Sequence, residues 1–405
     1  MLSLVASASA SAQVVLTVAA YPAVDEIIKA GLVEWKKKHP QVHVKVLSRE
    51  YTDHHTAMTT ALAASSGLPD VMTIEYGYLG RFSQSGGLEN LDLNPYNAQA
   101  YAQRFAAFAW RQGRHESHGQ TAVPTDIGPG ALFYRHDILQ KAQVKPEQLS
   151  GRWEEMIEAG KKVKAKTNVF LLAHARDVKD IVIRSGLAAG EGIYYNEQGQ
   201  SVVGTSPRFK RAFELAKQVR TEGLDAKVNA WSNEWSESIK RGNVAVQMMG
   251  AWLGGHLQNW LAPETAGKWR STRLPEGVAT SWGGTFYAIP KKAGNKTLAW
   301  DLVQHLTLNK AQQQSAFQKF NAFPALVEAQ SGSFFDQPVE FLGGQKARAE
   351  WRDTASKIVP TRVFRNDPIA EEIVNAELDL VLTKSKEIDQ ALADAHRLIQ
   401  RRAQR

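Results

Sequence analysis

Cysteine is absent from the 405 residues. That excludes disulfides, thiol nucleophiles and thiolate metal sites together, and it leaves no acceptor for a lipid anchor. A chain without thiols fits an oxidising compartment, where stray thiols are a hazard. Long apolar runs are also missing. Val244–Ala251 and Ala131–Tyr134 fall far short of the roughly 20 residues of a membrane-spanning helix. Catalytic signatures are missing too: there is no Gly-x-Ser-x-Gly, no phosphate-binding loop, no Gly-x-Gly-x-x-Gly and no His-Glu-x-x-His. The 11 histidines include His54–His55, and His115 and His118 flank Glu116–Ser117, but neither group has the spacing and third ligand of a zinc site. No metal and no cofactor is expected.

Hydrophobic residues make up 43% of the chain and charged residues 22%, as in a soluble globular protein long enough for two domains. Met1–Gln13 (MLSLVASASASAQ) is small, apolar and uncharged, with Ala-Ser-Ala before Gln13. It has the end of a secretory signal without the basic start. Residues 1–12 therefore read as a signal-peptide remnant or a flexible N-terminus, with Gln13 as the mature end if cleavage occurs. The net charge of +8 raises the question of nucleic acid. However, the basic clusters at Lys36–Lys38, Lys161–Lys166 and Arg397–Arg405 lie on amphipathic helices without a groove-reading motif, so they read as solvated faces.

Strands and helices alternate from the start. Val14–Ala19 is an apolar strand; Val24, Ile27, Ile28, Leu32 and Trp35 follow at helical spacing; Val42, Val44 and Val46 alternate as a strand. A helix from about His55 to Ser65 and an apolar strand at Val71–Ile74 complete a β-α-β-α-β series, which predicts a parallel, doubly wound sheet. Further strands are expected at Ala131–Tyr134, Val169–Leu172 and Val244–Met248, and helices at Trp153–Lys166 and from Ser206–Pro207 to about Glu222. From Lys296 onward the pattern is helical, with breaks at Pro324, Pro338, Pro360 and Pro368.

Six blocks in order resemble a known family. They are Trp35–Val46; Leu62–Asp70 (LAASSGLPD) with its following strand; Val123–Asp126 with Leu132–Asp137 (VPTD…LFYRHD); Ser150–Glu155 (SGRWEE); Ile239–Trp252 (IKRGNVAVQMMGAW); and Gly283–Pro290 (GGTFYAIP) with Asn321–Ala325 (NAFPA). Together they resemble the extracellular solute-binding proteins of sugar ABC importers, a group that includes maltose-binding protein. The resemblance covers roughly residues 14–330; residues 331–405 carry no sharp motif.

The resemblance implies an α/β fold of the type II periplasmic-binding-protein kind: two doubly wound lobes joined by a hinge, with the ligand cleft between them. Its lobes would be residues 13–124 plus 285–330 and residues 125–284 plus 331–405, with crossings near Pro124–Gly130 and Gly284–Ala288. It further implies a monomeric periplasmic protein that captures a mono- or oligosaccharide and hands it to a membrane permease and its ATPase. A phosphorylated polyol is the alternative ligand, and a carboxylate-dependent glycoside hydrolase the remaining alternative, with Glu75 and Asp126 as its pair.

A sugar presents hydroxyls and flat C–H faces, so its site needs aromatic planes beside carboxylates and amides. Trp252, matching the family's ligand-stacking tryptophan, and Trp282, before Gly283 and Gly284, are the leading aromatic candidates. Trp231 and Trp235 are weighed evenly between cleft and core, whereas Trp153 and Trp300 read as core. Tyr21, Glu75 and Tyr76 follow strands whose ends face the cleft. Asp126 lies in the first crossing, Asp53 in a loop after the second strand, Asn321 before Pro324, and Arg362 after Pro360. Arg362 is the extra cation a phosphate would need.

Overall fold

The computed structural model describes residues 14–403, so Met1–Gln13, including the proposed processing point, lies outside the described residues. The chain opens with β1 (Val14–Ala20), α1 (Val24–Lys38), β2 (Val42–Ser48), α2 (Tyr51–Ala64), β3 (Val71–Glu75) and α3 (Tyr76–Gln84). β1 pairs in parallel with β2 along its whole length and with β3 at Val18–Ala19, as the alternating pattern predicts. α1 buries Val24, Ile27, Ile28, Leu32 and Trp35. Asp25 and Glu26 in its first turn and Lys36–Lys38 in its last complement the helix dipole. α2 begins four residues before the expected His55, because Tyr51-Thr-Asp forms a true first turn after the extended Glu50, with acidic Asp53 at the dipole's positive end.

The middle of the chain adds β4 (Arg114–His115) and β5 (Gly119–Gln120), a small hairpin, then β6 (Val123–Arg135), β7 (Val246–Gly250), β8 (Trp269–Thr272) and β9 (Ser281–Ala288). The main sheet runs β2-β1-β3-β9-β6-β7, with β8 also on β6. β6 is 13 residues long and changes partners midway. Its first half pairs antiparallel with β9 as far as Pro129↔Ser281; from Gly130↔Gly250 it pairs with β7, and from Leu132 also with β8. Register shifts at Pro124/Asp126 and Ile127/Pro129 bend this strand, as bulges do. Val169–Leu172 is not a ladder strand. It makes only single bridges, Phe170↔Val244 and Leu172↔Asp225, and the expected strand at Val244 starts at Val246.

One core gathers around β1 and β9 with Leu16, Trp35, Val71, Tyr287 and Leu302. Another is built from Leu132, Trp153, Phe209, Phe213, Leu378 and Ile399, so the C-terminal helices return to pack on the middle of the chain. Trp153 and Trp300 are buried, as expected. Helices occupy Lys296–Leu308, Lys310–Phe320, Ala347–Lys357, Asp367–Lys384 and Ile388–Ala403. Pro368 does not break the fourth of these but sits in its first turn, where the missing N–H costs nothing. Among the described residues no helix is long and apolar enough to cross a membrane.

β6 and β9 approach so closely that a Cβ on Gly128 would stand 1.8 Å from the carbonyl oxygen of Trp282 and 2.9 Å from Nε1 of Trp252. Gly128→Ala should therefore cost about 1–3 kcal/mol of unfolding free energy, the usual range for overpacking. Equilibrium denaturant unfolding checks this, and an unchanged midpoint would show that the two strands separate freely.

Candidate functional site

Glu75 is the last residue of β3 and the N-cap of α3, so a single residue ends a strand and starts a helix. Its Oε2 accepts the backbone N–H of Gly77 at 2.7 Å and the hydroxyl of Tyr51 at 2.8 Å. Its own backbone N–H donates to Nε2 of His55 at 3.1 Å, while Nδ1 of that ring lies 2.8 Å from the Tyr51 carbonyl. Because an amide N–H can only donate, Nε2 accepts and Nδ1 carries the hydrogen. Burial lowers the His55 pKa to about 3, which keeps the ring neutral in that role. Asp126, at the bulge in β6, accepts the Thr285 backbone N–H at 2.6 Å, and the Thr285 hydroxyl bonds Tyr21 Oη at 2.9 Å. Burial raises Glu75 to about 7, despite the bonds from Gly77 and Tyr51, and raises Asp126 to about 6. Burial also raises Tyr21, with the fields of Asp126 and Glu75 adding to it. The structure thus brings Tyr21, Glu75 and Asp126 into one polar group.

Trp252 follows the end of β7 after one intervening residue and caps the short helix Leu253–His256, so it is not in a free loop. Its Nε1–H donates to the Trp282 carbonyl at 2.7 Å. Gly283 and Gly284 have φ of 81° and 135°, backbone that favours glycine. A Cβ on Gly283 would stand 3.3 Å from Trp252 Nε1 and 3.7 Å from Glu75 Oε1, so indole, carboxylate and bare backbone converge. Trp231 stacks on Trp252 with centroids 5.8 Å apart and planes at 26°, and it is 54% exposed. Trp235 is wholly buried and donates to Gln247; of the evenly weighed pair, one faces solvent and the other belongs to the core. The Trp282 ring lies under the Arg184 guanidinium at 4.5 Å. Tyr76 and Arg184, with Gln112, Thr280 and Ser281, line a cavity of about 340 Å³ beside the same strand.

Three candidates lie apart from this convergence or at its edge. Asp53 is an exposed residue of α2, not a loop residue, and makes no polar contact with the group. Asn321 is the left-handed C-cap of the Lys310–Phe320 helix and packs against Gly255, beside the Trp252 helix. Arg362 donates to the Glu197 carbonyl at 2.7 Å and lies 3.4 Å from Glu116, so the cation a phosphate would require is already engaged. Sequence reasoning missed Tyr51 and His55, which share one helix face at i, i+4 and would have been found had α2 been started at Tyr51. It also missed Thr285 and Arg184. Among the described residues no three His, Asp or Glu side chains gather as metal ligands.

The sequence signature of the bacterial extracellular solute-binding protein family matches residues 17–313. The lactose-binding protein of Rhizobium radiobacter is 28% identical over 351 residues, 82% of this chain and 79% of that one. The arabinooligosaccharide-binding protein of Bacillus subtilis (strain 168) is 23% identical over 276 residues, 66% and 62% of the two chains. A solved extracellular solute-binding protein family 1 structure superposes with a TM-score of 0.83 at 22% identity, over 96% of this chain and 99% of the other. The binding protein of B. animalis subsp. lactis Bl-04, solved with beta-1,6-galactobiose, gives 0.76 at 22% identity, over 95% and 96%. These likenesses establish the two-lobed periplasmic-binding-protein fold.

The two carboxyls carry a pH signature. Their folded pKa values, about 7 and about 6, lie above the ordinary 4.5 and 3.8, so the folded protein holds these protons more tightly than the unfolded chain. Their contribution to stability is full below about pH 4 and is lost as pH rises through 6 and 7. Glu75→Gln should therefore raise the melting temperature of the ligand-free protein at pH 8 and change it little near pH 4. An equal shift at both pH values, measured by differential scanning calorimetry, would show that Glu75 carries no buried charge.

Proposed function

We propose, because the chain belongs to the bacterial extracellular solute-binding protein family, that it captures a mono- or oligosaccharide in a cleft between its lobes and delivers it to an ABC importer. Members of this family bind solutes and are not enzymes, which removes the hydrolase alternative. They act outside the cytoplasm, and the Ala-Ser-Ala before Gln13 fits export; we take the compartment as the periplasm and the working form as a monomer. The lobes are taken as residues 13–124 plus 285–330 and 125–284 plus 331–405. The partner change in β6 at Pro129–Gly130 supports a crossing there.

The observation that carries the sugar reading is the meeting of Trp252 and Glu75 at Gly283. The indole is oriented by its N–H to the Trp282 carbonyl, and the face not stacked on Trp231 would offer a flat apolar surface. Glu75 Oε1, the oxygen not bonded to Gly77 or Tyr51, offers an acceptor for a hydroxyl. Those are the two surfaces of a pyranose or furanose ring. The engagement of Arg362 by Glu197 and Glu116 argues against the phosphorylated polyol. Relatives named for lactose and arabinooligosaccharides set the first ligands to try.

Closure of the lobes over ligand stabilises the native state in proportion to ln(1 + [L]/Kd). A thermal-shift series with galactose, lactose, arabinose and arabino-oligosaccharides should give a dose-dependent rise for one series, with the sugar recovered intact. Trp252→Ala should weaken binding of that sugar at least about tenfold, about 1.4 kcal/mol, without lowering the yield of folded protein. No rise with any sugar, or unchanged affinity in the variant, would sink the reading.

A further inference from the structure

Large apolar side chains at the surface of a monomer are ordinary when single and informative when contiguous. Trp231 and Trp260 are the two tryptophans exposed by about half, at 54% and 52%, and they are not isolated from each other. His256 packs edge-on against Trp231, Trp252 and Trp260, with centroids at 5.8, 5.4 and 5.5 Å. Trp260 is held in place by its Nε1–H, which donates to Nδ1 of His256 at 2.7 Å. Burial lowers the pKa of that imidazole, so Nδ1 keeps the lone pair the bond needs.

The arrangement follows from the local backbone. Trp252, His256 and Trp260 are four residues apart, the spacing that places side chains on one face of a helix. The helix begins at Leu253 and passes into a π turn over Leu257–Leu261, closed by the Ala262 N–H to the Leu257 carbonyl at 3.1 Å. Single π turns recur at functional sites because they re-aim side chains. Next to that face, Gly255 presses against Asn321 so closely that a Cβ there would stand 2.7 Å from Asn321 Cβ. That contact holds the helix in place, and Trp260 at its far end stays half exposed. Eight residues at 1.5 Å each carry that face about 12 Å from the Trp252 position.

We propose that this strip is a binding platform leading out of the cleft, from Trp252 at the cleft site past Trp231 and His256 to Trp260, and that the ligand is an oligosaccharide whose further rings lie along it. The proposal rests on the carbohydrate reading and narrows it: a monosaccharide buried at Gly283 would leave two half-exposed indoles, one of them fixed by its hydrogen bond to His256, without a role. Each ring stacked on an indole adds apolar contact, and Trp260 is the far end of the run.

The experiment is titration calorimetry of the full protein with galactose and lactose, and with arabinose and its oligomers of two to five units, repeated with Trp260→Ala and Trp260→Phe. The expected result is that affinity in one series rises at least tenfold between the shortest and longest ligand. Trp260→Ala should abolish that rise and leave the shortest ligand unchanged, while Trp260→Phe keeps most of it. Because Trp260 is half exposed, both variants should melt with the wild type, and a scan confirms it. Length-independent affinity in the wild type, or an equal loss at every length in Trp260→Ala, overturns the platform while leaving sugar capture standing. Failure of the wild type to bind either series overturns both.

Discussion

The close approach of two strands at Gly128 is the constraint on which the site depends. Only a residue without a side chain lets β6 lie against the Trp282 carbonyl, and only with that carbonyl in place does the Trp252 indole have a partner for its N–H. A buried indole N–H is rarely left unpaired, so the hydrogen bond fixes the plane of the ring. The same stretch of β9 carries Gly283 and Gly284 in backbone conformations that side chains disfavour. One strip of main chain therefore orients an aromatic face, opens a path to it and joins the two halves of a strand that changes partners.

The polar half of the site stores a different kind of cost. Ionised carboxylates at Glu75 and Asp126 are disfavoured by burial, which is why both are held above the ordinary carboxylate range. Each is partly compensated by main-chain donors, Gly77 for the first and Thr285 for the second. The carboxylate oxygens that these donors do not engage suit a ligand rich in hydroxyls, because such a ligand supplies donors in place of water without displacing an existing partner. His55 and Tyr51 stand behind Glu75 and hold its backbone and one oxygen, leaving the other oxygen for the ligand.

Much of the fold was legible because periodicity reports burial. The apolar run of β1, the Val42–Val46 alternation and the three- and four-residue spacing of α1 each name an element and its inner face, and the order of those elements implies the parallel start of the sheet. Boundaries were less legible. The α2 start depended on whether Tyr51-Thr-Asp turned or looped, and Val169–Leu172 looked like a strand but found only isolated bridge partners. Pro368 shows the same limit, since proline ends a helix in its interior but suits its first turn.

The sequence by itself determined the class of molecule: a thiol-free α/β chain with no membrane span in its hydropathy, carrying ordered blocks that resemble a sugar-capture family. It also determined that Trp252 and Glu75 stand where strands end. Only the tertiary structure decided which candidates meet. Trp231 and Trp235, four residues apart, part company: one becomes a surface platform, the other core. Asp53 and Arg362 fall away from the convergence, and Thr285, Arg184 and Trp260 enter it or its surroundings unannounced. The reason is that local pattern encodes which side of its own element a residue occupies, whereas a site is assembled between elements far apart in sequence, at distances set by how their backbones pack.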